Sequence, residues 1–136
     1  MNWIAASGAG LPAFLLYFTV GAALIFVFAT GYIRLTAHDE MALVRQGNAA
    51  AALALGGNIA GFSIPLDRVI AQASHLADLA LWAVIAAFVQ FLIYAVMRML
   101  VPDLSAQLAA NNIAAGILLA SVSVVGGLLN AAAMTL

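Results

Sequence analysis

Three adjacent side chains, His38, Asp39 and Glu40, form the group that comes nearest to a metal site in this sequence. Adjacent residues of a helix point about 100° apart, so the three would not converge on one ion. We therefore expect a solvated helix start at this position. Cysteine is absent, which excludes disulfides and thiolate metal sites.

Motifs of catalysis are absent from the sequence as well. It contains no Ser–His–acid order, no HExxH pair and no glycine-rich phosphate loop. The other histidine, His75, is predicted on the opposite side of the membrane from His38, so the two cannot act as a catalytic pair. No cofactor or metal ion is expected, and a membrane-embedded enzyme is the least favoured of three function hypotheses.

The composition is that of a membrane protein. Of the 136 residues, 67% are hydrophobic and 7% are charged, whereas a soluble domain usually carries roughly a quarter charged residues. The net charge of −1 and the lack of a basic stripe argue against nucleic acid as a partner. One compact domain in a lipid bilayer fits this size and composition.

Four apolar segments are long enough to cross the roughly 30 Å hydrocarbon layer as helices of about 20 residues. Their predicted ranges are 12–33, 49–66, 75–100 and 113–134. A short amphipathic surface helix is predicted in each of two links, over 36–47 and 104–111. The predicted fold class is an all-α polytopic membrane protein with four transmembrane helices in two tandem duplicated hairpins.

Local signals mark the ends of these helices. Thr36 followed by Asp39 resembles a capping box, and Ser74 is expected to cap the third span. Pro102 with Asp103 favours the start of the second surface helix. Pro65, followed by Asp67 and Arg68, is expected to take the chain out of the second span.

The two links are predicted to be copies of each other. Segments 34–55 and 98–119 align without a gap at an offset of 64 residues (98 − 34). They share Arg34/Arg98, Asp39/Asp103, Ala42/Ala106, Asn48/Asn112, Ala50/Ala114, Ala51/Ala115 and Leu55/Leu119. We predict repeat 1 at about 12–66 and repeat 2 at about 76–134, related by an axis along the membrane normal.

Asn48 and Asn112 are the strongest paired signal. Each precedes a predicted span, where an asparagine side chain satisfies helix N–H groups that lipid cannot. Alternatively, two related helix N-termini could hold an anion or a partner carboxylate.

Other polar side chains lie within or beside the spans. Asn58, Gln90 and Asn130 are predicted inside them, where polar groups usually bond between helices for about 0.6 kcal/mol on average. None has a polar mate in the other repeat, and the alternative is a path for an ion or small solute. Asp67 and Asp78 flank the outer link, where acids either solvate a turn or attract cations in an oligomer.

Glycines in the second and fourth spans predict close helix packing. Gly57 and Gly61 form a GxxxG pair, and Gly126 and Gly127 lie in the fourth span. Small residues let two helix backbones approach closely in lipid. We expect these faces to be exposed and to support a homo-oligomer or a complex with another membrane protein.

Arginine placement predicts the orientation. Arg34, Arg45 and Arg98 lie on the side of the two repeated links, and Arg68 lies on the other side. The positive-inside rule therefore places the repeated links in the cytoplasm and both termini outside.

The order of the small motifs resembles the domain of unknown function 350 family. The pattern is N-x-A-A, then G-G-x-x-x-G-F-S-I-P-L, a second N-x-A-A-G and a final G-G-x-x-N-A-A. It is carried, within about 17–135, by Asn48, Ala50, Ala51, Gly57, Gly61, Pro65, Asn112, Ala114, Ala115, Gly126, Gly127, Asn130 and Ala131. The resemblance implies a duplicated four-helix protein of the bacterial inner membrane with no established activity. Genes of such proteins often lie beside genes of membrane-stress proteins, which associates the family with envelope maintenance.

Two function hypotheses lead. The first is a non-enzymatic oligomeric scaffold or envelope-integrity component that recruits a cytoplasmic protein through 39–48 and 103–112. The second is a small homo-oligomeric channel or transporter lined by Asn58, Gln90 and Asn130.

Overall fold

The computed structural model describes residues 2–36 and 38–135, and in this part of the chain all regular secondary structure is helical. The helices are α1 (Trp3–Gly8), α2 (Leu11–Leu35), α3 (Glu40–Arg45), α4 (Ala49–Gln72), α5 (Leu76–Leu100), α6 (Leu104–Ala109) and α7 (Ile113–Ala133). Four of them, α2 with α1 before it, α4, α5 and α7, are long and apolar enough to cross a membrane. The predicted all-α fold with four membrane helices is confirmed.

Helix α4 runs further than the sequence pattern predicts. It continues to Gln72, with Pro65 inside it, so the expectation that Pro65, Asp67 and Arg68 lead the chain out is wrong. Proline cannot donate to the carbonyl four residues earlier, which here belongs to Gly61. That carbonyl faces Gly127 of α7. Close packing against a neighbouring helix therefore accompanies the break in the hydrogen-bond ladder.

Glycines make the contact between α4 and α7, which is the most extensive in the bundle. A Cβ on Gly57 would meet the backbone of Ala120, one on Gly127 would meet the Gly61 carbonyl, and one on Gly116 would lie 2.7 Å from the Ala50 carbonyl oxygen. Contact positions rise together along both helices, so α4 and α7 are parallel. Gly126 instead faces the Ile93 side chain of α5.

This arrangement corrects one expectation. The faces of Gly57 and Gly61 were expected to be exposed, but both residues are buried inside the chain. A homo-oligomer stays a prediction, and these two glycines no longer support it.

The two short helices, α3 and α6, lie within the predicted surface segments 36–47 and 104–111, and both are shorter than predicted. In the first link Thr36 caps the end of α2, Ala37 lies outside the described residues, and Asp39 is the N-cap of α3. The Asp39 side chain accepts a hydrogen bond from the Ala42 N–H at 3.1 Å. The capping box that starts at Thr36 is therefore wrong, because the Thr36 hydroxyl donates back to the Ile33 carbonyl.

Helix α6 begins differently from α3. Asp103 is its N-cap residue, with φ of 55°, but the Asp103 side chain makes no capping hydrogen bond, unlike that of Asp39. Pro102 lies before the helix, outside its first turn. At the start of α5 the N-cap position belongs to His75, not Ser74, and its side chain makes no capping bond.

The ends of α3 and α6 are nevertheless equivalent. Gly47 and Asn111, separated by the same 64 residues (111 − 47), both have left-handed backbones, with φ of 82° and 60°. The Asn48 N–H donates to the Leu43 carbonyl, and the Asn112 N–H donates to the Gln107 carbonyl, each at 2.9 Å. The backbone thus has equivalent geometry at the ends of α3 and α6, although the duplication itself stays a prediction.

Candidate functional site

Glu40 is the unexpected residue of the first link. It is the first residue of α3, and none of its surface is exposed. Asp39 caps the helix from the outside and is exposed, which leaves Glu40 directed into the bundle. The expectation of a solvated helix start is therefore right for Asp39 and wrong for Glu40 and for the nearly buried His38 side chain.

The His38 ring lies directly beside this carboxyl group. Its Nε2 is 2.9 Å from Glu40 Oε1, and only 6% of the His38 side chain is exposed. The two side chains converge because His38 precedes the helix and does not follow helical spacing. Within the described residues, His38 Nδ1 and Glu40 Oε2 have no hydrogen-bond partner. The same residues contain no group of three metal-binding side chains.

Tyr32 and Asn58 extend the polar group into the bundle. Asn58 donates from Nδ2 to the Tyr32 hydroxyl at 3.0 Å and to the Ala54 carbonyl at 3.2 Å. Both side chains are fully buried. We call Tyr32, His38, Glu40 and Asn58 the link-end cluster, and it joins α2, the first link and α4.

A second tyrosine continues the group toward the second link. The Tyr94 ring meets the Tyr32 ring edge to face at 5.5 Å, and its hydroxyl lies 3.3 Å from Ser105 Oγ in α6. The Arg98 guanidinium lies 6.0 Å from the centre of the Tyr94 ring. An aromatic contact between the two tyrosine rings therefore connects the link-end cluster to the second link.

The environment of Glu40 favours its protonated form. Burial raises the pKa of this carboxyl above its ordinary value, while the His38 side chain and the Tyr32 hydroxyl lower it by smaller amounts. Removing a carboxylate from water disfavours its charged form more strongly than the contacts with these two side chains can offset. The site can therefore hold a proton at a pH where an exposed glutamate would have lost it.

The predicted interior polar residues are separate from each other. Gln90 donates from Nε2 to the Ser123 carbonyl at 3.3 Å and lies against Gly61. In the described part of the chain, no hydrogen bond joins Asn58, Gln90 and Asn130 to one another. Four buried atoms there lack partners: Asn58 Oδ1, Gln90 Oε1, Ser123 Oγ and Asn130 Nδ2.

Asn48 and Asn112 both lie at N-cap positions, and each side chain accepts a hydrogen bond from the helix that follows it. Asn48 Oδ1 accepts from the Ala51 N–H at 2.9 Å, and Asn112 Oδ1 accepts from the Ala115 N–H at 3.4 Å. Asn48 also donates to the second link, to the carbonyls of Leu108 and Ala109 at 2.9 and 3.2 Å.

A second bond joins the links in the other direction. Asn111 Oδ1 accepts from the Ala50 N–H at 3.0 Å. Two N–H groups at the start of α4 are thus occupied by side chains. These two N–H groups are therefore not free to bind an anion at this helix end.

The remaining predicted residues lie at the surface. Arg34 and Arg98 are exposed in the last turns of α2 and α5, where a positive charge suits the helix dipole. Both outer acids are exposed: Asp67 on α4 lines a cavity with Tyr17, and Asp78 in the first turn of α5 lines a different cavity with Trp82. The two outer acids therefore have different surroundings.

The comparison with protein families covers nearly the whole chain. The family model described as Domain of Unknown Function (DUF350) matches residues 6–134. The chain belongs to the DUF350 family. The DUF350 chain is 37% identical over 125 residues to the "UPF0719 inner membrane protein YjfL" of Escherichia coli strain K12, across 92% of this chain and 95% of the relative. The same identity and coverage hold for the protein of that name from E. coli O157:H7.

No solved structure matches the DUF350 chain. Its family, its four apolar helices and its inner-membrane relatives establish an integral membrane protein of the inner-membrane type. The family and the relatives' names carry no activity. The sidedness of the links and the termini stays a prediction.

Tyr32 and the burial of Glu40 are the features that sequence reasoning missed in this DUF350 protein. One signal was available for Glu40. At an offset of 64, its counterpart is Leu104 (40 + 64), which is 3% exposed. An apolar residue at the matching position of the second link indicates that this position faces inward. The carboxylate therefore occupies a core position.

The capping contacts give a matched pair of predictions. Replacing Asn48 by alanine should destabilise the DUF350 fold by about 2–3 kcal/mol, because a cap of about 1 kcal/mol and buried carbonyl contacts are lost together. Replacing Asn112 by alanine should cost only about 1 kcal/mol, since its second hydrogen bond, to the Gln107 side chain, is exposed to solvent. Thermal unfolding in one detergent measures both, and equal losses would contradict the bridging role of Asn48.

Proposed function

We propose that this DUF350 protein is a non-enzymatic membrane scaffold whose two links together dock a cytoplasmic protein. The observation that carries the proposal is the bonding between links: Asn48 binds the carbonyls of Leu108 and Ala109, and Asn111 binds the Ala50 N–H. We call residues 39–48 and 103–112 together the link face. A surface fixed at both halves can bind a partner without first ordering flexible segments.

The charges of the link face support a protein as the partner. Its exposed charged residues are Asp39, Arg45 and Asp103. A helix that binds anionic lipid is usually rich in lysine and arginine on its polar face, which this surface is not. Mixed charges suit a polar protein surface of complementary pattern.

The orientation belongs to the same proposal. Arg34, Arg45 and Arg98 lie at the link end, and Arg68 lies at the other end of α4. We place the link face in the cytoplasm and both termini on the other side on this basis. An oligomer of the chain would repeat the link face and strengthen docking through multivalency.

The test is site-specific photocrosslinking in cells. A photoreactive residue at the exposed Gln46 should give one discrete adduct, and the same residue at Ser74 in the α4–α5 link should not. The triple variant Asp39→Asn, Arg45→Glu, Asp103→Asn should reduce the Gln46 adduct by roughly tenfold, the effect of losing one or two charge-assisted contacts. Asparagine keeps the cap at position 39 and tolerates the left-handed backbone at position 103.

Glu40 is left unchanged in this variant because it is buried. The captured protein, once purified, should bind the wild-type chain in nanodiscs saturably and bind the triple variant weakly. Docking at the link face would be refuted if the adduct yields at Gln46 and Ser74 were equal, or if the triple variant gave the same Gln46 adduct yield as the wild-type chain.

A second candidate function is a conduit for an ion or small solute. It is favoured by the buried polar atoms without partners, in Asn58, Gln90, Ser123 and Asn130. The cavities found in the described part of the chain open at the surface of the bundle. A path through the bundle would therefore need water to enter its interior, or a second copy of the chain to complete it. Flux into vesicles that Gln90→Leu abolishes, with folding and subunit number unchanged, would support the conduit and contradict the scaffold.

A further inference from the structure

A small cavity lies at the end of the bundle opposite the link face. It has a volume of about 170 Å³ and is lined by Val69, Gln72, Ala73, Asp78, Trp82 and Met134. The end of α4, the start of α5 and the end of α7 form its walls. The cavity is smaller than the roughly 300–1,000 Å³ of pockets for drug-sized ligands, so it suits a small head group.

The electrostatics of this cavity favour a cation. Asp78 contributes a carboxylate, and none of the six lining residues is basic. Helices α4 and α7 both end here, where free carbonyl groups give the C-terminus of a helix a partial negative charge. The start of α5 also lies here, and its partial positive charge opposes a cation, whereas the Asp78 carboxylate in its first turn and the ends of α4 and α7 favour one.

The rest of the lining distinguishes an organic cation from a metal ion. Trp82 follows Asp78 by four residues on α5, which places the indole and the carboxylate on one helix face. Val69 and Met134 add apolar surface. Calcium requires six to eight oxygen ligands, whereas an alkylammonium group uses one carboxylate, an aromatic face and apolar contacts.

We propose that the cavity between Asp78 and Trp82 binds an alkylammonium group. The ligand is either the head group of a lipid such as phosphatidylethanolamine or a free amine in solution, because both present the same cation. Asp78 pairs with the charge, and Trp82 contacts the methylene or methyl groups. This site is at the other end of the molecule from the link face and does not depend on that proposal.

The first experiment uses Trp82 as the reporter. The chain has two tryptophans, so Trp3→Phe leaves Trp82 alone. In nanodiscs of phosphatidylglycerol, choline or ethanolamine should change the Trp82 emission saturably, and the uncharged choline analogue 3,3-dimethylbutan-1-ol should not. Asp78→Asn should weaken binding roughly tenfold, as expected for the loss of a charge-assisted contact. Asp67→Asn, an exposed acid at the same end, should leave binding unchanged.

A second experiment distinguishes the two sources of the ligand. Native mass spectrometry of protein released from mixed phosphatidylethanolamine and phosphatidylglycerol membranes should show retained phosphatidylethanolamine if the ligand is a head group. Binding of free amines without retained lipid would assign the site to a soluble amine. Either result supports the site, provided that Asp78→Asn reduces it.

The proposal is overturned if neither amine nor lipid binds, or if Asp78→Asn and Asp67→Asn behave alike. A loss of folding in Asp78→Asn would show in its thermal unfolding. Trp82→Leu then serves as the second variant, with retained lipid and isotope-labelled choline as the readouts. Unchanged binding in Trp82→Leu would likewise overturn the proposal.

Discussion

Replacing Gly57 by alanine should destabilise the bundle, while the same change at the adjacent Gly56 should not. A Cβ at Gly57 would meet backbone atoms of Ala120, which cannot rotate away, whereas a Cβ at Gly56 would meet nothing within 4 Å. Both changes bring the same gain in helix propensity, about 1 kcal/mol. Overpacking at Gly57 costs about 1–3 kcal/mol, so the two variants should differ by that amount.

Thermal unfolding of both variants in the same detergent measures this difference. Because Gly56 and Gly57 are neighbours in one helix, their shared effects on propensity and insertion cancel. Equal midpoints for the two variants would contradict the close contact between α4 and α7. A fall at Gly56 alone would indicate that the exposed face of α4 contacts another molecule.

The stability of the wild-type protein should fall as the pH rises above the ordinary range for glutamate, and Glu40→Gln should remove this fall. The folded-state pKa of Glu40 is raised mainly by burial, from a reference of 4.5. The folded state therefore binds the proton more tightly than the unfolded state. Its stabilising effect is complete below the unfolded pKa and is lost as the pH rises through the folded pKa.

At neutral pH, Glu40→Gln should stabilise the fold by about 1–3 kcal/mol, because the amide keeps the shape and adds no buried charge. Unfolding midpoints measured across the acid-to-neutral range give the slope for each variant. Asp39→Asn, at the exposed neighbouring acid, is the control and should keep the wild-type slope. The same comparison in a His38→Gln background removes the neighbouring imidazole, and an unchanged slope in Glu40→Gln would contradict the burial of the Glu40 carboxyl.

The sequence predicted the spans well because their signal is a long apolar run. It failed at Pro65 for a physical reason: proline usually ends a helix, but here α4 continues past Pro65, and the Gly61 carbonyl packs against Gly127. This packing involves another helix and cannot be predicted from the local sequence.

Site prediction failed in a similar way. The pattern around Glu40 predicts a short amphipathic helix, but it does not tell which residues the neighbouring helices cover. Asn48 was predicted as a cap, and its bonds to Leu108 and Ala109 depend on the fold. Gly57 and Gly61 predicted a close contact, and only the structure identifies α7 as the partner.

The pairing of α4 with α7 also constrains how the protein is made. Helix α4 is the least apolar of the four spans, with a mean hydropathy of 1.5 against 2.0–2.3 for the others, and more than half of it is buried. Helix α4 leaves the ribosome before α7 has been synthesised. During this time its glycine face and the Gly61 carbonyl lack their contacts with α7. The first hairpin is therefore an unfinished assembly during translation, exposed to membrane insertases and proteases until α7 joins it.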